Sequence, residues 1–431
     1  MKTGSVIYNK KIDNVKEYDV AVIGGGPAGV GAAIAAARGG AKTVLIETTG
    51  MLGGMATSGL VGPFMTCYDY EAKEQLVRGI FEEIVQKTIA AGGAIHPSEI
   101  DAPTHYTSWI DEYHHHVTPF DSTILQTVLD EMVVEAGVKI MFYTKYFDSV
   151  VEDKKISYIL LANCEGISAL KAKVYIDCTG NADVATYSGV PVWFGDDEKN
   201  ICQPCTLFFE VDGVDSDKYT SFPPYKAYLT NTPGKYKINH TKMYHVDAHN
   251  NDSMTQAHID GRRRVIEMYD SMKKIMPGFE NARFVQCADV VGVRESYHIV
   301  GKYRVKVKDI SENTYFPDAI MTFGYGMDIH SHDGSEKDGF TIKSANWYTI
   351  PYRSLIPENC DNLAVAGRCI CADSHAAGSF RVMPSCVALG QAAGTGAAMA
   401  VKLGVNVGDV PVNELQKNLI SQDVVIKGIK A

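Results

Sequence analysis

The chain has 431 residues, 45% of them hydrophobic and 21% charged, and a formal net charge of −10. This composition excludes disorder and collagen-like structure, and the acidic balance argues against nucleic acid as a partner, since phosphate binding needs clustered Lys and Arg. At about 100–200 residues per domain, the length predicts two or three domains with ample core, and no apolar run approaches the roughly 18 residues of a membrane span.

Met1–Lys16 is polar and lacks an apolar signal core, so we expect a cytoplasmic protein. Tyr18–Ile23 is a β-leaning apolar run, followed at once by Gly24-Gly25-Gly26-Pro27-Ala28-Gly29 and an Ala-rich helical stretch over Val30–Arg38. Gly39-Gly40 ends that helix, and Thr43–Ile46 reads as a second buried strand closed by Glu47. Asp121–Ala136 has helical apolar spacing, Val138–Phe142 reads as a strand, and Phe147–Ala172 alternates like a small antiparallel meander. Lys173–Cys178 is another buried strand, ending in Thr179-Gly180. Residues 196–340 are richer in Tyr, His, Lys and Asp and read as a second domain. The α/β texture returns with Asn362–Ala366 and Gly367, and a long small-residue helix is predicted from about Pro384 to Leu403. Glycine concentrates in two blocks, 24–62 and 367–404. The 10 Cys are scattered and read as reduced thiols.

Strand, Gly-rich turn, helix, strand and terminal acid in that order predict a dinucleotide site. Gly24 permits the tight turn, Gly26 lets the backbone approach a pyrophosphate, and Gly29 allows helix and strand to pack closely. The helix N-terminus favours phosphate. Glu47 is placed for a ribose diol and would repel a 2′-phosphate. A further Gly-rich loop, Leu52–Gly59, suits a longer ligand whose pyrophosphate and flavin pass close to the backbone.

With these motifs the chain resembles the FAD-dependent oxidoreductases of the glutathione-reductase-like flavoprotein superfamily. Within it, the chain is most similar to a large, mostly bacterial family with poorly known substrates. Four segments carry the resemblance: 24–47 with 52–59, 173–189, 291–303 and 350–394. It implies an α/β fold: a Rossmann-like FAD-binding domain, with a parallel sheet and a small antiparallel meander, interrupted by an inserted α+β substrate domain. The expected boundaries are 1–195 plus 345–431 for FAD and 196–344 for the insertion. It implies FAD contacts from Gly24, Gly26, Ala28, Gly29, Glu47, Gly53, Gly54 and Thr57. Asp177, Thr179 and Gly180 should close over the adenosine half, with Asn181 and Asp183 beside them and Val138 near the adenine. On the flavin side it implies Gly367, with either Arg368 on the pyrophosphate or Asp373 in the ribityl role. Gln391 and Ala392 are expected to open the final helix toward the flavin, the alternative for this helix being plain packing of its Gly and Ala.

For chemistry, Arg294, His330, His375 and Arg381 are the candidates to line the flavin–substrate cavity. Arg294-Glu295 reads either as a structural ion pair or as an anchor for an anion, and His330 as an acid or base or a solvated loop residue. Tyr348, Tyr352 and Arg353 are expected just behind them. His114-His115-His116 makes a poor single metal site, because successive side chains diverge, and no metal is expected. Cys202/Cys205 and Cys369/Cys371 have spacings that redox dithiols use, without further support. No second Gly-x-Gly-x-x-Gly follows a strand, so electrons should pass through substrate, a separate carrier or oxygen. The expected reaction is hydride transfer between FAD and a small polar molecule, a sugar-like alcohol or a carboxylated metabolite. The rivals are a redox-neutral enzyme related to thiazole synthases and a non-catalytic flavin-fold binding protein. A homo-oligomer is left open.

Overall fold

The computed structural model describes residues 9, 11–111, 113–223, 225–334 and 340–429. The first half of the chain runs β1 (Val15–Ile23), α1 (Pro27–Arg38), β2 (Thr43–Ile46), α2 (Ile80–Ala90), α3 (Ser122–Glu135) and β3 (Lys139–Met141). It continues through β4 (Lys145–Glu152), β5 (Lys155–Asn163), β6 (Gly166–Asp177), α4 (Asp183–Tyr187) and β7 (Val192–Phe194). Next come β8 (Phe209–Asp212), β9 (Ala227–Leu229), β10 (Tyr236–Ile238), α5 (Asn251–Ile275), β11 (Arg283–Cys287), β12 (Tyr297–Ile299) and α6 (Val307–Ser311). The last part comprises β13 (Ala319–Phe323), β14 (Met327–Ile329), β15 (Phe340–Ile342), β16 (Tyr348–Pro351), β17 (Leu363–Val365), α7 (Ser374–Phe380), α8 (Met383–Leu403) and α9 (Val412–Ser421).

A seven-stranded sheet organises the molecule in the order β3-β2-β1-β6-β5-β4, with β17 also paired to β6. The pairs β1–β2, β2–β3, β1–β6 and β6–β17 are parallel, while β4–β5 and β5–β6 form the expected meander. The expected strand over 173–178 is the far half of β6, continuous with the last meander strand. One edge of β6 follows β1 from Ala169 to Asp177, while its other edge passes from β5 to β17. The same pairing carries β1 back to Val15, ahead of the expected start at Tyr18. Asp121 caps α3 by accepting the Thr123 and Ile124 N–H groups, so the helix begins at Ser122.

Glycines join the two ends of the chain. A methyl on Gly31 would overlap the Val387 carbonyl, and methyls on Gly390 and Gly394 would overlap those of Ala28 and Ala32. Helices α1 and α8 therefore cross backbone to backbone. By length and composition α8 is apolar enough to cross a membrane, but 78% of its most apolar window is buried inside the protein. It is a core helix, which explains its Gly and Ala content.

A four-stranded antiparallel sheet, β11-β8-β10-β9, packs with α5 around a second core of Phe209, Tyr236, Val265 and Phe279. Three two-stranded ribbons, β7–β12, β13–β16 and β14–β15, connect this unit to the main sheet. Ile299 to Ile329 pack into the first core, so the stretch 196–344 is shared between both cores.

Candidate active site

A cleft of about 1040 Å³ opens at the ends of β1, β2 and β6, where Gly24, Gly26, Glu47, Thr179 and Gly180 line it. This is the carboxyl edge of a parallel sheet, where such folds bind dinucleotides. Gly24 has φ +100°, and a side chain there would run into the Cys178 carbonyl. A methyl on Gly26 would meet nothing within 4 Å, so its backbone is bare toward the cleft. Glu47 is held rigidly: Oε2 accepts the Gly25 N–H at 2.7 Å, and Oε1 accepts the Thr49 N–H at 2.7 Å and its hydroxyl at 2.9 Å. Ala28, Gly54 and Gly367 complete the backbone wall.

Arg368 bridges this cleft to a second cavity. Its guanidinium lies over Gly180, its Nη2 donates to Asn181 Oδ1 at 2.8 Å, and its Nε is buried without a protein partner.

Other expected cofactor residues support the cleft from behind. Gly29 packs under Gly24, where a methyl would overlap the Gly24 carbonyl. Gly53 donates its N–H to the Gly25 carbonyl at 2.8 Å, and Thr57 Oγ1 donates to the Leu52 carbonyl at 2.6 Å. Val138 is buried in the first core. Asp177, fully buried, accepts from Thr179 and Ala185 and so shapes the turn into α4. Asp183 lies outside the lining, 3.8 Å from His249 Nδ1.

Three expectations need correction. Gln391 and Ala392 do not open the long helix α8, which starts at Met383. Gln391 Oε1 instead accepts the Ile80 N–H at the start of α2, and Ala392 is buried in the helix packing. Asp373 caps α7 through the Ala376 N–H and accepts the Val307 N–H at α6, so both its oxygens are used away from the cleft. The residue at the mouth of α8 is Met383, beside Arg381.

The second cavity, about 910 Å³, shares Met55, Val293, Arg368, Arg381 and Met383 with the first. Arg294, His330 and Arg381 meet here as expected. Arg294 Nη1 donates to the Pro204 carbonyl at 2.7 Å and Nη2 to Asn239 Oδ1 at 3.2 Å. Arg381 Nη2 reaches both the carbonyl and the carboxylate of Asp328, at 3.1 and 3.3 Å. His330 Nε2 lies 3.4 Å from Asp328 Oδ2, and its Nδ1 is buried with no partner among the described residues.

Burial, followed by Arg294, pushes the His330 imidazole down to about 3. Burial works against charge on Asp328, but His330 and Arg381 hold it well below the usual carboxylate range. Burial and then Arg381 pull Arg294 down to about 10, still charged at neutral pH. The histidine is thus a neutral imidazole between an ionised Asp and two guanidiniums. An Asp-bound Nε2–H leaves Nδ1 as an acceptor facing no protein donor.

The sequence reading missed Lys226, Tyr228 and Asn239 on the opposite wall. They come from the short strands of the second sheet and carry no local motif. His114 also lines the cavity, buried and pushed by that burial to about 4. His115 and His116 diverge from it, toward Asp111 and toward the Pro97 and Ala72 carbonyls.

His375 is the fourth correction. It lines a separate cavity with Asp196, His332 and Asp373, because α7 turns it away from Arg381. Arg294 and Glu295 do not form an ion pair with each other. Glu295 points to the opposite side, where Oε1 is 3.5 Å from His298 Nε2 and Oε2 is 3.6 Å from His332 Nε2. Tyr348 and Tyr352 hydrogen-bond to Ser379 and the Val407 carbonyl, and Arg353 pairs with Asp318. All ten cysteines are free. Burial raises the Cys202 and Cys205 thiols, the latter to about 11, so neither is a ready thiolate.

The residues fit FAD. Buried polar groups are normally paired, yet Ser58 Oγ, Arg368 Nε and Arg381 Nε are buried in the cleft wall without partners among the described residues. With the bare Gly26 backbone and the rigid Glu47 carboxylate, they make a cradle for an anionic, hydroxyl-bearing dinucleotide.

Comparison with known proteins agrees. The chain is 28% identical over 190 residues to the thiamine thiazole synthase of Pyrococcus horikoshii, covering 42% of this chain and 64% of that protein. A Pyrococcus furiosus protein of the same name is 28% identical over 187 residues, with the same coverage. The chain thus spans 64% of the length of these relatives. Among solved structures, the p-nitrophenol 4-monooxygenase of Pseudomonas putida superposes with a TM-score of 0.51 at 12% identity, covering 95% of this chain and 86% of that one. BexE, studied for oxidation during BE-7585A biosynthesis, gives 0.50 at 11% identity, covering 94% and 66%. These likenesses are of fold. The family model for FAD dependent oxidoreductases matches residues 19–234 and 220–419. The chain belongs to the FAD dependent oxidoreductase family and is an enzyme whose cofactor is FAD.

Proposed function

We propose that this oxidoreductase exchanges a hydride between FAD and a small carboxylate-bearing molecule, with His330 handling the proton. The observation that carries this reading is the charge of the second cavity. Among the described residues, Lys226, Arg294, Arg368 and Arg381 line it against one acid, Asp328. A cavity with that balance favours an anion, and planar guanidiniums favour a carboxylate. Of the two substrate classes the sequence suggests, this supports the carboxylated one over a neutral sugar.

When bound, FAD supplies the two-electron chemistry. Arg294 and Arg381 orient the substrate carboxylate. Asp328 holds the Nε2 side of His330, and Nδ1 accepts the proton of the substrate hydroxyl as the carbon is oxidised. In the reverse direction the same atom returns it. A neighbouring anion offsets the field of Arg294 and Arg381, so substrate binding moves the His330 imidazole upward, against the burial that is the larger cause of its depression. Among the described residues, every sheet outside the seven-stranded one is antiparallel. That supports an electron partner other than a nicotinamide held in a second parallel βαβ domain.

The test is an anaerobic panel of hydroxy acids, amino acids and neutral sugars, read by bleaching of the bound flavin, with enoates read by return of colour to flavin first reduced with dithionite. Bleaching by a carboxylate, lost with its ester or amide, is expected. Bleaching only by neutral sugars would overturn the carboxylate reading. The thiamine thiazole synthase relatives favour one second reading, a redox-neutral use of the dinucleotide. Product formation with no flavin bleaching under any condition would favour it.

A further inference from the structure

Arg294 and Glu295 point opposite ways but grip the same neighbour. Glu295 Oε2 accepts the backbone N–H of Gln203 at 3.0 Å, and Arg294 Nη1 donates to the carbonyl of Pro204 at 2.7 Å. The Gln203-Pro204 segment is thus clamped at both ends by two consecutive residues. Glu295 is 3% exposed and is braced by His298 and His332.

The Gln203 side chain, 2% exposed, reaches the other way. Its Oε1 accepts the backbone N–H of His330 at 3.1 Å. That N–H lies one residue beyond the β14–β15 ladder, whose last pair is Ile329↔Phe340. The Gln203 Nε2 is buried with no partner among the described residues, and the amide acts here through its carbonyl.

We propose that Gln203, anchored by Glu295, is a positioning residue that fixes the His330 backbone and thereby aims Nδ1 into the substrate cavity. This rests on the assignment of His330 above. One frame then sets both functional groups: the clamp that holds Arg294 against Pro204 also holds the amide that holds His330. A loose His330 backbone would let the ring leave Asp328, and an unpaired imidazole in a low-dielectric pocket samples both neutral tautomers.

The readout is the tautomer of His330 in FAD-loaded protein labelled with ¹⁵N-histidine, assigned by loss of its signals in His330→Gln. In the unmodified enzyme we expect one tautomer, protonated at Nε2. Gln203→Leu, which keeps volume but removes the acceptor, should bring the two ring-nitrogen signals together as tautomers average, with flavin still bound. Gln203→Glu, which keeps a carbonyl acceptor in the same place, should restore the single tautomer. An unchanged His330 signal in flavin-loaded Gln203→Leu would overturn the proposal. If the Leu variant does not load flavin, Glu295→Gln decides, because weakening the anchor should move the same signal, and an unmoved signal overturns the proposal. Succinate added to the unmodified holoenzyme reports separately on the anion reading. A His330 signal that ignores succinate counts against the carboxylate substrate and leaves the positioning result standing.

Discussion

The two adjoining cavities are built from different materials. The cofactor cleft is mostly backbone: Gly24, Gly26, Gly54, Gly180 and Gly367 present bare peptide, and one rigid acid, Glu47, gives it direction. The substrate cavity is mostly side chain: Lys226, Arg294, Asp328, His330 and Arg381 converge from four separate segments. A backbone surface binds what many flavoproteins share, and a side-chain surface binds what is particular to one of them. Away from the five shared residues, substitutions should therefore divide, with changes to the first weakening flavin retention and changes to the second lowering turnover in protein that stays yellow.

The strongest test of that division is at the helix crossing. Gly390→Val puts a branched side chain against the Ala28 carbonyl, where even a methyl overlaps. Overpacking of this kind costs about 1–3 kcal/mol or more. We expect loss of bound FAD and a clear drop in melting temperature, and a yellow, stable variant would break the comparison.

His330→Gln should do the reverse. Flavin content should be unchanged, while substrate-driven bleaching falls about 10²–10⁴-fold, the usual worth of a positioned acid or base. The same variant tests linkage. The native imidazole sits near 3 against an ordinary 6.5, so between those values the unfolded chain takes up a proton that the native chain refuses. Stability should fall as pH drops from about 6.5 toward 3, and denaturant midpoints of His330→Gln should show a shallower acid slope.

Arg294→Met should weaken binding of an inhibitory carboxylate by about 2–5 kcal/mol, read by titration of the flavin spectrum, again without loss of FAD. Glu47→Gln removes one charge and replaces one of the two accepting oxygens with an NH2 group that cannot accept the Gly25 or Thr49 N–H, and a smaller effect is expected, about tenfold in FAD affinity or about 1.4 kcal/mol, measured by fluorescence on reconstitution. Smallest is Arg38→Met. Its two 2.8 Å bonds to Glu83 lie on the surface with both side chains more than 40% exposed, and about 0–1 kcal/mol of stability should be lost.

The same contrast explains what could be read in advance. Gly24 to Glu47 form one contiguous βαβ unit whose spacing is dictated by strand, turn and helix geometry, so each residue's place follows from its neighbours. The boundaries of β2 and α8 followed from apolar runs closed by Gly or an acid. Lys226 and Asn239 have no such context, since they reach the cavity only because β8, β9 and β10 pair antiparallel. His375 failed for a related reason. It lies close in sequence to Arg381, but α7 intervenes, and helical rotation separates the two side chains into different cavities. Gln391 failed because α8 begins two turns before it. Nearness along the chain is a poor guide wherever a helix intervenes.

The crossing of α1 and α8 also bears on how the enzyme is made. A nascent chain leaving the ribosome would show α1, with no helix against Gly31, and the Tyr175–Asp177 edge of β6 hundreds of residues before β17 and α8 arrive to cover them. Gly367 and Arg368 line the same cleft as Gly24 and Glu47, so FAD loading follows synthesis of both segments. Premature termination before β17 would leave the Tyr175–Asp177 edge of β6 unpaired, a natural client for chaperones.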